Sequence, residues 1–309
     1  MVTKGVAVFS AIVLGCFLCG VQGVRVAEQK CQEYIKTIAS LNPVPVDRTN
    51  EFVTQINGVP AKEAEFPHQV RLGQWLYEDD DDPSFILRCG GALISENYVL
   101  VSGHCIWAVG DISDGYVSLG RHDYTKNSSL PEVQIKHGSD NFIQHPNFKL
   151  QSAYDDIGLY LLTEPVNFTS HIYPACLWTD ESPLQLNKFT ATSFTLGKAV
   201  NDSDDTHVAK LLVNVVPNAE CDAEFVNSTY FDDGLTDNHI CVESPVEWKS
   251  ACQGDMGGLL QTLEKDSKTV YRLYGVEPSG NDCEENHLKF SYTKVQKYLD
   301  WIEEIVWGA

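Results

Sequence analysis

Short apolar or alternating segments recur between turn-forming residues from about residue 56 onward, which is the pattern of β-strands. Ser95, Glu96 and Asn97 form a polar turn between two such segments, so we predict a hairpin there. A long succession of short strands predicts an all-β protein. The strand-like segments are 66–72, 92–94, 99–101, 157–161, 210–216 and 270–276.

The C-terminal segment follows a different period. Apolar residues recur every three or four positions, which predicts an amphipathic helix that packs against the strands. Gly308 follows the last of them as a stop signal. The apolar positions are Tyr292, Val295, Leu299, Ile302 and Val306.

The N-terminus carries Lys4, an apolar run over 6–18 and small residues up to Gly23. This layout predicts a secretory signal peptide over 1–23, with cleavage after Gly23. A membrane anchor is the alternative, but the run is shorter than the roughly 18–20 residues that span a bilayer. Residues 24–55 show little periodicity and are too few for a core, so we expect an extension rather than a domain.

The cysteine content indicates disulfides. Two of the ten cysteines lie in the signal segment, and an even set of eight in a secreted chain favours disulfides over metal ligation. None of these eight forms a C-x-x-C pair, so we predict no metal site. Eight cysteines allow 105 pairings, so composition alone does not choose among them. The eight are Cys31, Cys89, Cys105, Cys176, Cys221, Cys241, Cys252 and Cys283.

The charge balance excludes two classes of partner. With 43 acidic against 22 basic residues the net charge is −21, so nucleic acid and anionic membrane are not expected ligands. The acidic run 78–82 offers calcium ligands but lacks the spacing of a calcium loop, which favours a solvated surface loop. No cofactor motif is present. Four sequons predict glycosylation at Asn127, Asn167, Asn201 and Asn227.

Four blocks carry the candidate chemistry: Ile56-Asn57-Gly58-Val59, Ser102-Gly103-His104-Cys105, Asp156-Ile157-Gly158-Leu159 and Gly254-Asp255-Met256-Gly257-Gly258. In this order they resemble the trypsin-like serine proteases, whose catalytic roles are well described. The resemblance implies an all-β fold of two six-stranded antiparallel β-barrels with a C-terminal α-helix (the chymotrypsin fold) over 56–309. It places His104 and Asp156 at the general base and its orienting carboxylate, and the N–H groups of Gly254 and Met256 at the oxyanion hole.

Met256 stands where the family has its nucleophilic serine. A thioether has no transferable proton and forms no acyl-enzyme, and losing the serine in such an enzyme costs about 10⁶ in turnover. The substrate pocket departs from the family too, with Ser250 at the base and Pro278-Ser279-Gly280 along the wall. We therefore expect an inactive member of the family.

The activation site is altered as well. The family frees an isoleucine amine by cleavage after a basic residue, and that amine pairs with the carboxylate matched here by Asp255. In this chain Ile56 follows Gln55, and the nearest upstream basic residue is Arg48. We expect a zymogen-like conformation unless a protease of another specificity cuts there.

The resemblance also selects disulfides: Cys89–Cys105, Cys221–Cys241 and Cys252–Cys283, with Cys31–Cys176 tethering the 24–55 extension. The segment 30–34 resembles the linker of arthropod clip-domain protease homologues, although the six-cysteine clip module is absent.

These features predict a secreted, non-catalytic homologue. It would bind extracellular proteins, either proteases or their zymogen substrates, as a cofactor, decoy or regulator in an immune, melanisation or clotting cascade. The alternatives are a residual or altered serine endopeptidase and a secreted binding protein unrelated to proteolysis.

Overall fold

The computed structural model describes residues 24–47, 59–76, 84–106, 115–124, 128–182, 184, 186–195, 207–225, 228–244, 257–279 and 288–309. The predicted signal peptide, Arg48, Gln55, Ile56 and the acidic run 78–82 lie outside these ranges. β-strands are the main secondary structure of the described chain and form two largely antiparallel sheets.

The first sheet has seven strands in the order β6-β5-β2-β3-β4-β8-β7. Its inward side chains are apolar, and Val70, Leu119 and Tyr160 are fully buried there. The hairpin predicted around residues 95–97 is confirmed, with Ala92 opposite Leu100. The strands are β2 (Gln69–Leu76), β3 (Ser84–Leu93), β4 (Tyr98–Val101), β5 (Gly115–Leu119), β6 (Val133–His137), β7 (Phe142–Gln144) and β8 (Gly158–Leu161).

The second sheet contains β1 (Val59–Pro60), β9 (Cys176–Leu177), β10 (Lys188–Thr195), β11 (His207–Val216), β12 (His239–Glu243), β13 (Leu259–Leu263), β14 (Tyr271–Val276) and β15 (Lys289–Lys294). Six of them close into a barrel in the order β11-β10-β13-β14-β15-β12, since β12 pairs back onto β11. β1 adds to β11, and β9 runs parallel to β14. The predicted chymotrypsin fold is confirmed, with the first half a curled seven-stranded sheet.

Three α-helices lie wholly within the described ranges: α1 (Val26–Ser40), α2 (Asn218–Phe225) and α3 (Leu299–Trp307). Helix α3 is the predicted C-terminal helix and ends at Gly308, which has a left-handed φ of 70°. It begins later than predicted, because Tyr292 belongs to β15, where it pairs with Ile240. Val295 lies in a short 3₁₀ turn that joins β15 to the helix.

The N-terminal extension is more ordered than its sequence predicted. Residues 26–40 form helix α1, and its buried side chains recur at helical spacing: Ala27, Cys31, Tyr34 and Ile38. The expectation of little periodicity was wrong. These apolar residues do recur at helical spacing, but they form only a narrow face of a helix that is otherwise mostly polar. That face packs on the domain, where Cys31 forms a disulfide with Cys176.

Ion pairs reinforce the contact of α1 with the domain. The Glu28 carboxylate accepts a 2.7 Å hydrogen bond from Arg272, which also contacts Glu264. The Ala27 backbone N–H donates to Glu303 of α3 over 2.9 Å.

None of the helices within the described ranges has the length and apolar character needed to cross a bilayer.

Candidate functional site

His104 and Asp156 meet because two paired strands bring them together. Gly103 and His104 follow β4, and Asp156 precedes β8, and these strands pair with Val101 opposite Gly158. The Asp156 Oδ2 atom lies 2.8 Å from Nδ1 of the imidazole, and Oδ1 accepts the His104 backbone N–H at 2.8 Å. Asp156 therefore holds both the side chain and the backbone of His104. This arrangement fixes the tautomer with Nδ1 protonated toward the carboxylate.

The second barrel adds a third donor to the same carboxylate. The backbone N–H of Ser279 donates to Asp156 Oδ2 at 2.7 Å. Pro278 has neither an N–H nor a hydroxyl to offer, and the N–H of Glu277 is bonded to the Gly258 carbonyl at 2.8 Å. The two described residues of the wall segment, Pro278 and Ser279, thus have no backbone N–H left for an incoming peptide strand.

The imidazole is shielded and negatively biased. His104 is 9% exposed. Burial alone would lower its pKa, but the adjacent Asp156 carboxylate and the negative charge of Glu277 raise the pKa of His104 above its ordinary value. The Asp156 carboxylate thus favours the protonated form of His104, as the orienting carboxylate of a catalytic pair does.

The Nε2 atom of His104 is buried and has no hydrogen-bond partner within the described ranges. In an active protease this nitrogen takes the proton of the serine hydroxyl. The nearest hydroxyl in sequence, Ser102, donates instead to the Glu277 carbonyl at 2.6 Å. The predicted positions Ser250, Gly254, Asp255, Met256 and Gly280 lie outside the described residues, so their placement stays a prediction.

Gly257, which directly follows Met256, is held in one conformation. Its φ of 90° is left-handed, and a Cβ there would collide with the backbone carbonyl of Gly90 in β3. Only glycine combines that φ with so close an approach. This contact joins Gly257 to β3, the strand that precedes β4 and His104 in the chain.

Sequence analysis missed Glu277. Its side chain is buried, and its Oε2 atom occupies the space that a Cβ on Gly258 would need. The available signal was a lone acidic residue that continues the apolar strand segment 270–276 immediately before Pro278. A buried carboxylate is rare enough to indicate a specific role.

Three of the four disulfides implied by the resemblance are present: Cys31–Cys176, Cys89–Cys105 and Cys221–Cys241. The fourth, Cys252–Cys283, lies outside the described residues. His104 comes within 4.8 Å of the sulfurs of Cys89 and Cys105. Because those sulfurs are bonded to each other, they offer no thiolate to a metal ion.

Among the predicted glycosylation sites, only Asn167 falls in a described range, and its side chain is exposed. Thr169 of the same sequon accepts hydrogen bonds from the backbone N–H groups of His171 and Ile172. Asn127, Asn201 and Asn227 lie outside the described residues.

The comparisons with known proteins agree with this architecture. The sequence profile of the trypsin family matches residues 55–302, and the chain therefore belongs to the trypsin family. It is similar to serine protease snk of Drosophila melanogaster, with 28% identity over 91% of this chain and 65% of that protein. It is also similar to serine protease Hayan of the same species, with 30% identity over 79% of this chain and 38% of that protein.

A third relative is the clotting factor G beta subunit of Tachypleus tridentatus, with 29% identity over 71% of each chain. The match covers less than two thirds of snk and of Hayan, so both relatives extend well beyond the matched part.

Proposed function

We propose that this chain is a secreted, non-catalytic member of the trypsin family that acts by binding other proteins in an extracellular protease cascade. Residues 1–23 would be its signal peptide, 24–55 a disulfide-tethered extension and 56–309 the protease-like domain. One observation carries the proposal: the His104–Asp156 pair is complete, while in the sequence Met256 stands at the position that matches the family's nucleophilic serine.

Two further observations support the non-catalytic part. Within the described ranges no hydroxyl or thiol bonds to Nε2 of His104. In the wall segment, Pro278 and Ser279 have no spare backbone N–H for a peptide strand, which supports weaker substrate binding at these two positions. These observations support a non-catalytic role.

The disulfides support secretion. Three bridges in a single chain indicate an oxidising compartment. A role in an immune, melanisation or clotting cascade rests on similarity to serine proteases and to a clotting factor subunit. The partners we propose are proteases or their zymogen substrates.

Hydrolysis of a panel of peptide thioesters tests the proposal against residual endopeptidase activity. We expect the purified chain to show no turnover above buffer and no difference from His104→Ala. Turnover that disappears in His104→Ala would instead establish an enzyme. Co-purification from the source fluid tests the partner class: proteases or zymogens support the proposal, whereas a small ligand supports a binding protein unrelated to proteolysis.

A further inference from the structure

The C-terminal end of the extension is exposed backbone. After helix α1, residues 41–47 form neither a helix nor a strand, and none of them is buried. Val44 donates its backbone N–H to the Ser170 carbonyl at 2.9 Å, and the Asp47 carbonyl accepts a hydrogen bond from Lys62. Exposed, irregular backbone of this kind is where proteases preferentially cut folded proteins. In a fluid that contains active proteases, residues 41–47 are therefore a vulnerable part of this chain.

Asn167 belongs to the surface segment on which the extension rests. The residues that follow Asn167 contact the extension: Phe168 packs edge-on against Tyr34 of α1, with ring centroids 5.7 Å apart, and Ser170 accepts the backbone N–H of Val44. The Asn167 side chain itself is exposed. A bulky group on Asn167 would therefore stand at the edge of the contact between the extension and the domain.

Asn167 also begins a sequon, with Thr169 as its hydroxyl residue. In the folded chain this hydroxyl accepts the backbone N–H groups of His171 and Ile172 at 3.3 and 3.1 Å, so modification would precede folding of the segment. In the transfer, the side-chain nitrogen of Asn167 bonds to the anomeric carbon of an oligosaccharide carried on a polyprenyl pyrophosphate. The bond from that carbon to the pyrophosphate oxygen breaks, the pyrophosphate leaves with the electron pair, and the nitrogen loses one proton.

We propose that Asn167 carries an N-linked oligosaccharide that shields residues 41–47 of the extension from proteolysis. A glycan is bulky and lies on the surface, so it hinders the approach of a protease without contacting the extension itself. After a cut in this segment, α1 would be held only by its contacts with the domain, among them the disulfide of Cys31 and the ion pair of Glu28. The inference rests on the secretion in the proposed function, since the oligosaccharide donor belongs to the secretory pathway.

Mass spectrometry of the full chain, secreted from cultured eukaryotic cells, tests the occupancy. Peptide N-glycosidase converts an occupied asparagine into aspartate, so the peptide that contains residue 167 records whether a glycan was attached. We expect aspartate at that position. An unmodified Asn167 in a chain that carries a glycan at another sequon would overturn this inference and leave the proposed function untouched. A chain that is not secreted would contradict both.

Limited proteolysis with subtilisin tests the shielding. The products are separated after reduction, because Cys31–Cys176 would otherwise hold the fragments together. We expect cuts within 41–47 to appear several-fold faster in Asn167→Gln than in the glycosylated wild type, while cuts elsewhere keep their rate. Wild-type chain that has been deglycosylated after folding should be cut as fast as Asn167→Gln, which separates the glycan from any effect of the substitution.

The matched control is Thr169→Ser, which retains the sequon and the hydroxyl that accepts the two backbone N–H groups. It should be glycosylated and cut at the wild-type rate, and a thermal melt checks that each variant is folded. Equal cleavage of residues 41–47 in the glycosylated and the deglycosylated wild type would overturn the shielding. Faster cleavage throughout the chain would also overturn it, because the glycan would then stabilise the fold instead of covering this segment.

Discussion

The two barrels contribute to the candidate site in contrasting ways. The first barrel keeps its part complete, since His104 and Asp156 lie at bonding distance in the arrangement that a protease requires. The second barrel contributes Pro278, the buried Glu277 and Ser279, whose backbone N–H is already bonded to Asp156. The preserved half also has a structural task, because Asp156 ties β8 to the backbone after β4 and to the second barrel.

The largest effect is expected at Asp156. Asp156→Ala leaves the buried N–H groups of His104 and Ser279 without their acceptor, and each such group costs about 1–3 kcal/mol. We therefore expect the free energy of unfolding to fall by about 3 kcal/mol in urea titrations. His104→Ala, which leaves both backbone donors bonded to Asp156, should cost about 1 kcal/mol. Equal losses in the two variants would show that Asp156 serves only the imidazole.

Acid should lower the free energy of unfolding. His68 and His122 are buried, and desolvation lowers their pKa values to about 3 and about 4. In the unfolded chain these histidines take up protons near pH 6.5, whereas in the folded chain they stay neutral. The free energy of unfolding therefore falls as the pH drops from about 6.5 toward 4. The loss is up to about 1.4 kcal/mol per group and pH unit. His104 acts oppositely, because its raised pKa adds stability at low pH that is lost as pH rises through the folded value.

Urea unfolding across pH 7 to 4 measures this slope. His68→Gln should flatten this slope, because glutamine takes up no proton when the chain unfolds. In the wild type the ring centroid of His68 lies 5.4 Å from that of Tyr271 in the second sheet. A surface control, Gln134→His in β6, should leave the slope unchanged. An unaltered slope in His68→Gln would remove this histidine from the account.

Restoring the hydroxyl should have the smallest effect. Met256→Ser returns a nucleophile but leaves Ser250, Pro278 and Glu277 in place. We expect kcat/KM for arginine esters to recover only a small fraction of the roughly 10⁶ that the serine is worth. The same substitution with His104→Ala is the control. Efficient trypsin-like cleavage by Met256→Ser alone would mean that the second barrel is less altered than its wall segment indicates.

The sequence was sufficient for features that repeat a local pattern. Alternating segments predicted the strands around the turn at 95–97, and the family blocks predicted the His104–Asp156 pair and the disulfides. The predicted start of α3 was wrong, because an apolar residue such as Tyr292 fits a strand and a helix equally well. Its pairing with Ile240 is what places it in a strand. Periodicity alone does not contain that long-range contact.

Helix α1 and Glu277 escaped prediction for a different reason. The buried face of α1 is narrow, and its helical structure is stabilised by the domain it packs on, through Cys176 and Arg272. Glu277 looked like an ordinary acidic residue at the end of a strand, and only the approach of Gly258 and His104 gives it a role. Both depend on partners far away in sequence.

The most direct test of the account is intact-mass spectrometry of the native chain after treatment with a serine-directed fluorophosphonate, with Met256→Ser treated in parallel. The account predicts that the wild-type mass stays unchanged, because the thioether of Met256 has no oxygen that could bond to the phosphorus. A stoichiometric adduct on the wild-type chain, lost in His104→Ala, would contradict it.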